Sequence, residues 1–414
     1  MEKNFKSAVR RMIPKITADI VRDFLDVRNI HRMASAPRIP FNPDLYPAGI
    51  NLVGSFYQDS GLGQSCRLLA DEIRKAGVPH SFINFAFNSN LHYSGQNSND
   101  ISRNYKYGIN VFHINMHEFP RAWTKINDKN KESHYNIAFW LWENEVFPKE
   151  WVPMIKQLDE IWTPSEFVSR SIRVVTDKPV KTIPYIIETP YDNTIGRKYF
   201  HLPKDQFLFL MMYDVNSLAE RKNPLGAVHA FRKAFQHGSH QAGMVIKISN
   251  ANEETVKRLK EELNGYDVYF INEMLEKDKV NALIHCCDAY ISLHRAEGYG
   301  LVLSEAMMLG VPTIATAYSA NLDFQDETRA CLVKYNMKSI DSDLFPYRKG
   351  MKWADPDEDD AAQYMRRLCT DSEFYAKIRD NAWNYMHDPV HAKETLDRLK
   401  RNFEVIYESN KGTI

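Results

Sequence analysis

The sequence is short of several things, and each shortage argues against a class of protein. It has five cysteines, Cys66, Cys286, Cys287, Cys331 and Cys369, an odd number with no C-x-x-C pair. That argues against a disulfide framework or a thiolate zinc site and fits reduced thiols in a cytosolic protein. There is no run of about 18 apolar residues, so no membrane-spanning helix is expected. The first thirty residues lack the apolar core of a secretory signal. Net charge is also missing, because 53 basic residues balance 53 acidic ones. Nothing global therefore favours nucleic acid as a partner. Together these absences suggest a cytoplasmic protein.

What is present is enough apolar material for a sizeable core: 44% of the 414 residues are hydrophobic and 12% aromatic. A chain of this length suggests two domains or one large one. The first segment, residues 1–45, stands apart by charge. Residues 1–40 hold nine Lys or Arg against four acids. Ile13, Ile16, Ile20, Phe24 and Val27 recur at steps of three or four, so one helix face is greasy. Two readings stand: a helix packed on the body, or a basic helix resting peripherally on an anionic membrane at its inner face.

From residue 50 onward, short apolar runs alternate with helical stretches. INLVGSF (50–56), INVFHIN (109–115), NIAFWLW (136–142), EIWTPS (160–165) and VKTIPY (180–185) read as strands. The turn DSGLGQ follows the first of them. The helix after it repeats apolar residues at Leu62, Cys66, Leu69, Ile73 and Ala76 and stops at Gly77. A proline-containing connector near residue 186 marks a boundary between residues 46–190 and 191–388. Alternation then restarts with FLFLMMYD, GMVIKIS, VYFIN, AYISL and PTIATA. Near-continuous apolar strands imply parallel sheets covered on both faces. The fold class is α/β, with two such domains in series. Residues 389–414 form a final helical segment, with its helix expected at about 391–408.

The chemistry concentrates in RAEGYGLVLSEAMMLGVPTIAT, Arg295 to Thr316. Glu297 falls on the loop after the AYISL strand, where open α/β sheets bind ligands. Gly298 and Gly300 permit a close approach to the main chain. The helix opening near Leu301 offers unpaired amides and partial positive charge, which suits a phosphate. Glu305 lies about one turn further on. A carboxylate for hydroxyls, amides for phosphate and a second carboxylate for hydroxyls match a nucleotide sugar: sugar, diphosphate, ribose. Upstream, Arg221 and Lys222 precede Asn223 and Pro224 at a helix start. Two cations there call for an anionic partner.

These two segments, ERKNPLGAVHAFRKAF and RAEGYGLVLSEAMMLGVPTIAT, resemble the C-terminal half of a family 4 retaining glycosyltransferase of the GT-B fold. The resemblance implies two Rossmann-like domains facing across a cleft, an acceptor domain at 46–190 and a donor domain at 191–388, with the last helix crossing back. It implies a hexosyl transferase acting with retention and without a metal or other cofactor. The nucleotide sugar would be the donor, and a glycan or lipid-linked glycan the acceptor. Glu297 would contact the donor sugar, Glu305 the ribose and Lys222 the diphosphate. The family's arginine five positions before that lysine is Ser217 here, and Arg221 is the candidate substitute. Tyr299, Leu301, Asn272 and Met274 join the donor-binding set. Gly61, Leu62 and Gly63 would bring amides to the diphosphate from the other domain. His117 would stand near the donor sugar.

Three further features bear on this reading. Trp140, Trp142, Trp151 and Trp162 cluster in one stretch and suit either the core or an acceptor surface. Glu143 and Glu145 are the polar positions beside them. The Asp-x-Asp triplets Asp341/Asp343, Asp355/Asp357 and Asp357/Asp359 lie in a polar region and read as loop acids rather than metal ligands. A glycoside hydrolase would need two carboxylates flanking one bond and leaves the glycine turn and the cations without a task. A GT-B-shaped partner subunit without turnover is the non-enzymatic alternative.

Overall fold

A computed structural model describes residues 27–85, 101–215 and 217–410. The greasy stripe Ile13, Ile16, Ile20 and Phe24 lies outside them. Residues 27–35 are helical, and Ile30 and Met33 are buried against the first domain. Gln157 Nε2 donates to the carbonyls of Met33 and Ala36 at 2.9 and 2.8 Å. This part of the basic segment therefore packs on the body.

The first sheet comprises β1 (Ile50–Gly54), β2 (His80–Asn84), β3 (Ile101–Ser102), β4 (Ile109–His113), β5 (Tyr135–Phe139), β6 (Glu160–Thr163) and β7 (Val180–Thr182). The second comprises β8 (Phe207–Asp214), β9 (Ala242–Ser249), β10 (Val268–Ile271), β11 (Ala289–Ser292), β12 (Thr313–Thr316) and β13 (Cys331–Val333). Every pair in both sheets is parallel. The spatial orders are β3-β2-β1-β4-β5-β6-β7 and β10-β9-β8-β11-β12-β13. Each is the doubly wound Rossmann order, which reverses direction between its first and fourth strands. The two reversal points, β1/β4 and β8/β11, are where such sheets open a crevice for ligands.

All five strands expected in the first sheet end before their apolar runs do, and three of the ends have a visible cause. β4 stops at His113 because the Asn115 carbonyl turns the chain, accepting from the amides of Glu118 and Phe119 at 2.9 Å each. β6 stops before Pro164, and Ser165 then caps the Glu166–Arg173 helix by accepting from the Val168 amide. β7 ends at Thr182, just short of Pro184. A proline has no N–H to give to a ladder.

β14 (Tyr335–Ser339) and β15 (Lys352–Pro356) form a separate antiparallel pair. Asp355 is thus a strand residue rather than a loop acid, and it is paired with Arg295. The last helix runs Pro389–Asn410, slightly longer than the apolar pattern suggests, with the proline in its opening turn. It returns to the first domain, where the Gly49 amide donates to the Tyr407 hydroxyl at 3.3 Å. The carboxyl ends of the two sheets face each other. Ser165 Oγ, after β6, donates to the Gly298 carbonyl, after β11, at 2.8 Å. The Tyr185 and Tyr299 rings meet edge to face at 4.7 Å.

Candidate active site

The second reversal point is built from two corners. After β8 the chain makes one helical turn, Ala219–Lys222, and then a left-handed residue, Asn223, with φ 49°. Asparagine tolerates that conformation better than most side chains. Its Nδ2 donates to the Leu293 carbonyl at 2.9 Å, which ties this corner to the loop after β11. The Arg295 amide adds a second tie, donating to the Arg221 carbonyl at 2.7 Å. Arg221 and Lys222 therefore end a short helix instead of opening the Pro224–Ala234 one.

Glu297 hangs between these two cations. Its Oε2 lies 3.1 Å from Arg221 Nη1, and its Oε1 accepts from Lys222 Nζ. Arg221 Nη1 also donates to the Ala296 carbonyl at 2.8 Å. The Glu297 amide donates to Ser319 Oγ at 2.9 Å, which fixes the loop from the β12 side. Burial alone would raise the Glu297 pKa. Lys222 and Arg221 outweigh it and hold the carboxyl down at about 2. Arg221 is 7% exposed. Burial opposes its charge, but Tyr347, Glu297 and Glu143 together push its pKa up. For Lys222, burial and the neighbouring guanidinium prevail over Glu297 and pull the ammonium down. An ammonium with a lowered pKa beside a fixed arginine is a group that a further anion would stabilise.

Glu305 lies within the Leu301–Met308 helix and is 4% exposed. Its Oε1 is 2.7 Å from Lys277 Nζ. Gly300 starts that helix with φ 97°, a conformation that other residues resist. Asn272 and Met274 stand exposed in the turn between β10 and the Lys277–Cys286 helix, the turn that delivers Lys277. Tyr299 is buried toward the other domain, and its hydroxyl donates to the Tyr185 carbonyl at 3.5 Å.

On the first domain, Gly61, Leu62 and Gly63 open the Gly61–Lys75 helix, and Ser60 Oγ accepts from the Gly63 amide at 3.2 Å. A Cβ on Gly63 would lie 2.0 Å from the Gln58 carbonyl oxygen, so only glycine fits. His117 stands in the loop after β4, with its ring 5.8 Å from Phe345 of the second domain. His113, at the end of β4, is buried. Its Nε2 is 2.6 Å from Ser65 Oγ, and Ser65 Oγ also bonds the Tyr185 hydroxyl. Burial lowers the His113 pKa to about 4, so it is neutral.

Trp140, Trp142, Trp151 and Trp162 are all buried, and none is left as a sugar-stacking face. Glu143 does reach the charged cluster, with Oε1 at 3.9 Å from Arg221 Nη2. Tyr347, which donates to Glu143 Oε2 at 2.8 Å, was not visible in the sequence because no motif marks it. Of the Asp-x-Asp acids, Asp357 caps the Glu358–Thr370 helix, Asp359 pairs with Lys233, and Asp343 accepts from the Lys349 amide. Among the described residues, no helix is long and apolar enough to cross a membrane.

Residues 197–385 match the family of glycosyl transferases group 1. No curated protein sequence matches the chain. Among solved structures, sucrose-phosphate synthase from Thermosynechococcus elongatus aligns with a TM-score of 0.64 at 14% identity, covering 88% of this chain and 100% of that one. HepE of Anabaena, solved in complex with UDP-glucose, aligns at 0.60 and 12% identity over 85% and 99%. TarM of S. aureus, solved with UDP, aligns at 0.51 and 13% identity over 71% of this chain and 55% of that one. The chain thus spans about half of TarM's length. At these identities the likeness is one of fold.

Proposed function

Starting from a group 1 glycosyl transferase domain set in a GT-B frame, we propose that the chain transfers a sugar from a nucleoside diphosphate sugar to a hydroxyl of a glycan or lipid-linked glycan, with retention at the anomeric carbon. The observation that carries this reading is the Glu297 carboxylate held between Arg221 and Lys222 at the β8/β11 reversal point. A carboxylate and a cation pair within one side chain of each other support a sugar contact beside a diphosphate contact.

In the reaction, Glu305 holds the ribose hydroxyls and gives up Lys277 to do so. The donor's diphosphate takes Lys222 and Arg221, and the amides at the start of the Leu301–Met308 helix support it. Arg221 thereby replaces the arginine that Ser217 lacks. Glu297, released from part of its ion pair, turns to the hydroxyls of the sugar. The acceptor hydroxyl attacks on the face the phosphate leaves, and the leaving phosphate oxygen takes its proton. Charge grows on that phosphate as the bond breaks, so Lys222 and Arg221 stabilise the transition state more than the bound donor. No metal is needed, because the two cations and the helix amides balance the charge.

Thermal shift with UDP, GDP and ADP, followed by turnover with the matching sugars, tests the reading. At one hundred times its dissociation constant a ligand adds about 2.7 kcal/mol of stability. Turnover should persist in EDTA. No shift with any of the three nucleotides and no transfer from any of the three donors would overturn the reading.

A further inference from the structure

Between β14 and β15, residues 340–351 leave the second domain and dock on the first. Ile340 and Tyr347 of this strap, with Trp353 of β15, are buried in the same apolar cluster as Trp140 and Trp142. The Tyr347 ring stacks on Trp142 at 5.3 Å with 22° between the planes. Its hydroxyl donates to Glu143 Oε2 at 2.8 Å, and Glu143 Oε1 lies 3.9 Å from Arg221 Nη2. The backbone is stitched to match. Asn144 Nδ2 donates to the Lys352 carbonyl at 2.8 Å, the Ala354 amide to the Arg295 carbonyl at 3.0 Å, and the Arg295 amide to the Arg221 carbonyl at 2.7 Å.

We propose that Glu143 and Tyr347 are positioning residues that hold the Arg221 guanidinium in register with Glu297 across the domain boundary. A guanidinium is a rigid planar fork. One edge of this fork meets Glu297 and the Ala296 carbonyl, from the loop after β11. The other edge meets Glu143, from the segment after β5. A fork gripped on both edges by different domains keeps its plane only while the domains stay together. Tyr347 does the same for Glu143, because its ring is clamped by the apolar cluster and its hydroxyl fixes the carboxylate. The second grip on the guanidinium is therefore present only with the strap seated and Glu143 against it. Without Glu143 the fork would keep only the grip on its Nη1 edge, from Glu297 and the Ala296 carbonyl.

This proposal rests on the glycosyl transfer reading, and the test separates the two. The full chain is assayed with the donor identified among UDP-, GDP- and ADP-sugars, recording kcat and donor KM. Tyr347→Phe keeps the ring and loses one hydrogen bond, so kcat should fall about tenfold with KM and melting temperature nearly unchanged. Glu143→Gln should lower kcat on the order of 10²-fold. Both effects should vanish in an Arg221→Ala background, because the residues act through Arg221. A structural staple would instead lower stability and give effects that add to that of Arg221→Ala. Should Glu143→Gln fail to fold, Tyr347→Phe and its double variant decide the matter alone. Wild-type kcat in Tyr347→Phe, or full additivity, overturns the positioning role. If Lys222→Ala still impairs transfer in that case, only the positioning role has failed. If the wild type transfers from none of these donors, the transfer reading fails and takes this proposal with it; if it does transfer and Lys222→Ala and Glu297→Ala are as active as wild type, the site is misplaced and the positioning role falls with it.

Discussion

The two sheets share one strand order and differ in what stands at the reversal point. At β1/β4 the polar groups are neutral: Ser65, His113 held uncharged by burial, and Tyr185 with its phenol pushed further up by burial. Nearby, burial also raises the Glu72 carboxyl well above its usual range while Oε1 accepts from the Ile186 amide at 2.7 Å. At β8/β11 the groups are ionic: Arg221, Lys222 and Glu297, with Glu143 at the edge. The same topology thus offers a place and leaves the chemistry to the side chains. The neutral cluster suits a rigid wall, because neutral groups have no counterion to exchange. The ionic cluster suits a site, because its bonds can be traded for those of an anion.

The contrast is sharpest where a charge is deleted. Lys222→Ala should cut the transfer rate by on the order of 10²–10³ and weaken donor binding less, measured as kcat and nucleotide affinity. Glu297→Ala should also depress turnover, yet leave affinity for the free nucleoside diphosphate equal or tighter, because it frees both cations. A parallel loss of both quantities would move Glu297 out of the sugar position.

The neutral cluster makes the opposite kind of prediction, in stability against pH. The folded His113 pKa, about 4, lies below the ordinary histidine value, so the fold favours the neutral ring. Its contribution is fully present above about pH 6.5 and is lost as pH falls toward about 4. Between pH 7 and pH 5 that amounts to about 2 kcal/mol. His134 and His294, also lowered by burial, act in the same direction. The test is therefore the difference between wild type and His113→Asn in urea unfolding at the two pH values. An unchanged slope in the variant would show that His113 does not carry this linkage.

Two smaller effects complete the series. Glu305→Ala should weaken nucleotide binding about tenfold without loss of fold, by removing hydrogen bonds from a charged acceptor. Equal affinity in calorimetry would displace the ribose from Glu305. Ser60→Ala removes the cap that accepts from the Gly63 amide and should cost about 1 kcal/mol of stability while leaving transfer intact. A large loss of transfer there would give the Gly61–Gly63 turn a direct part in donor binding.

Much of the second domain was legible because its site is local. Glu297, the glycines and Glu305 lie within nine residues, and Arg221 and Lys222 are adjacent. Glycine turns and apolar runs also place the strands that hold them. Tyr347 could not be found this way. It sits fifty residues past Glu297 in a hairpin whose exposed YNMKS strand carries little apolar pattern, and its partner Glu143 belongs to the other domain. His117 stood out only through the family resemblance, and nothing in the sequence marks His113, which lies inside an apolar strand. The strands of the first sheet were read too long because apolar residues continue past the last ladder bond, where Asn115, Pro164 and Pro184 end the pairing.

Apart from the docked 340–351 strap, the chain crosses between its domains twice, once between β7 and β8 and once where the Pro389–Asn410 helix returns to set Tyr407 against Gly49. Two crossings define a line. Bodies joined along a line keep one easy rotation and resist twist and slide, whereas a single tether permits all three. Any opening of the cleft would thereby be confined to one arc. A closing stroke would bring the same residues of one rim onto the same residues of the other, with no alignment to be found anew.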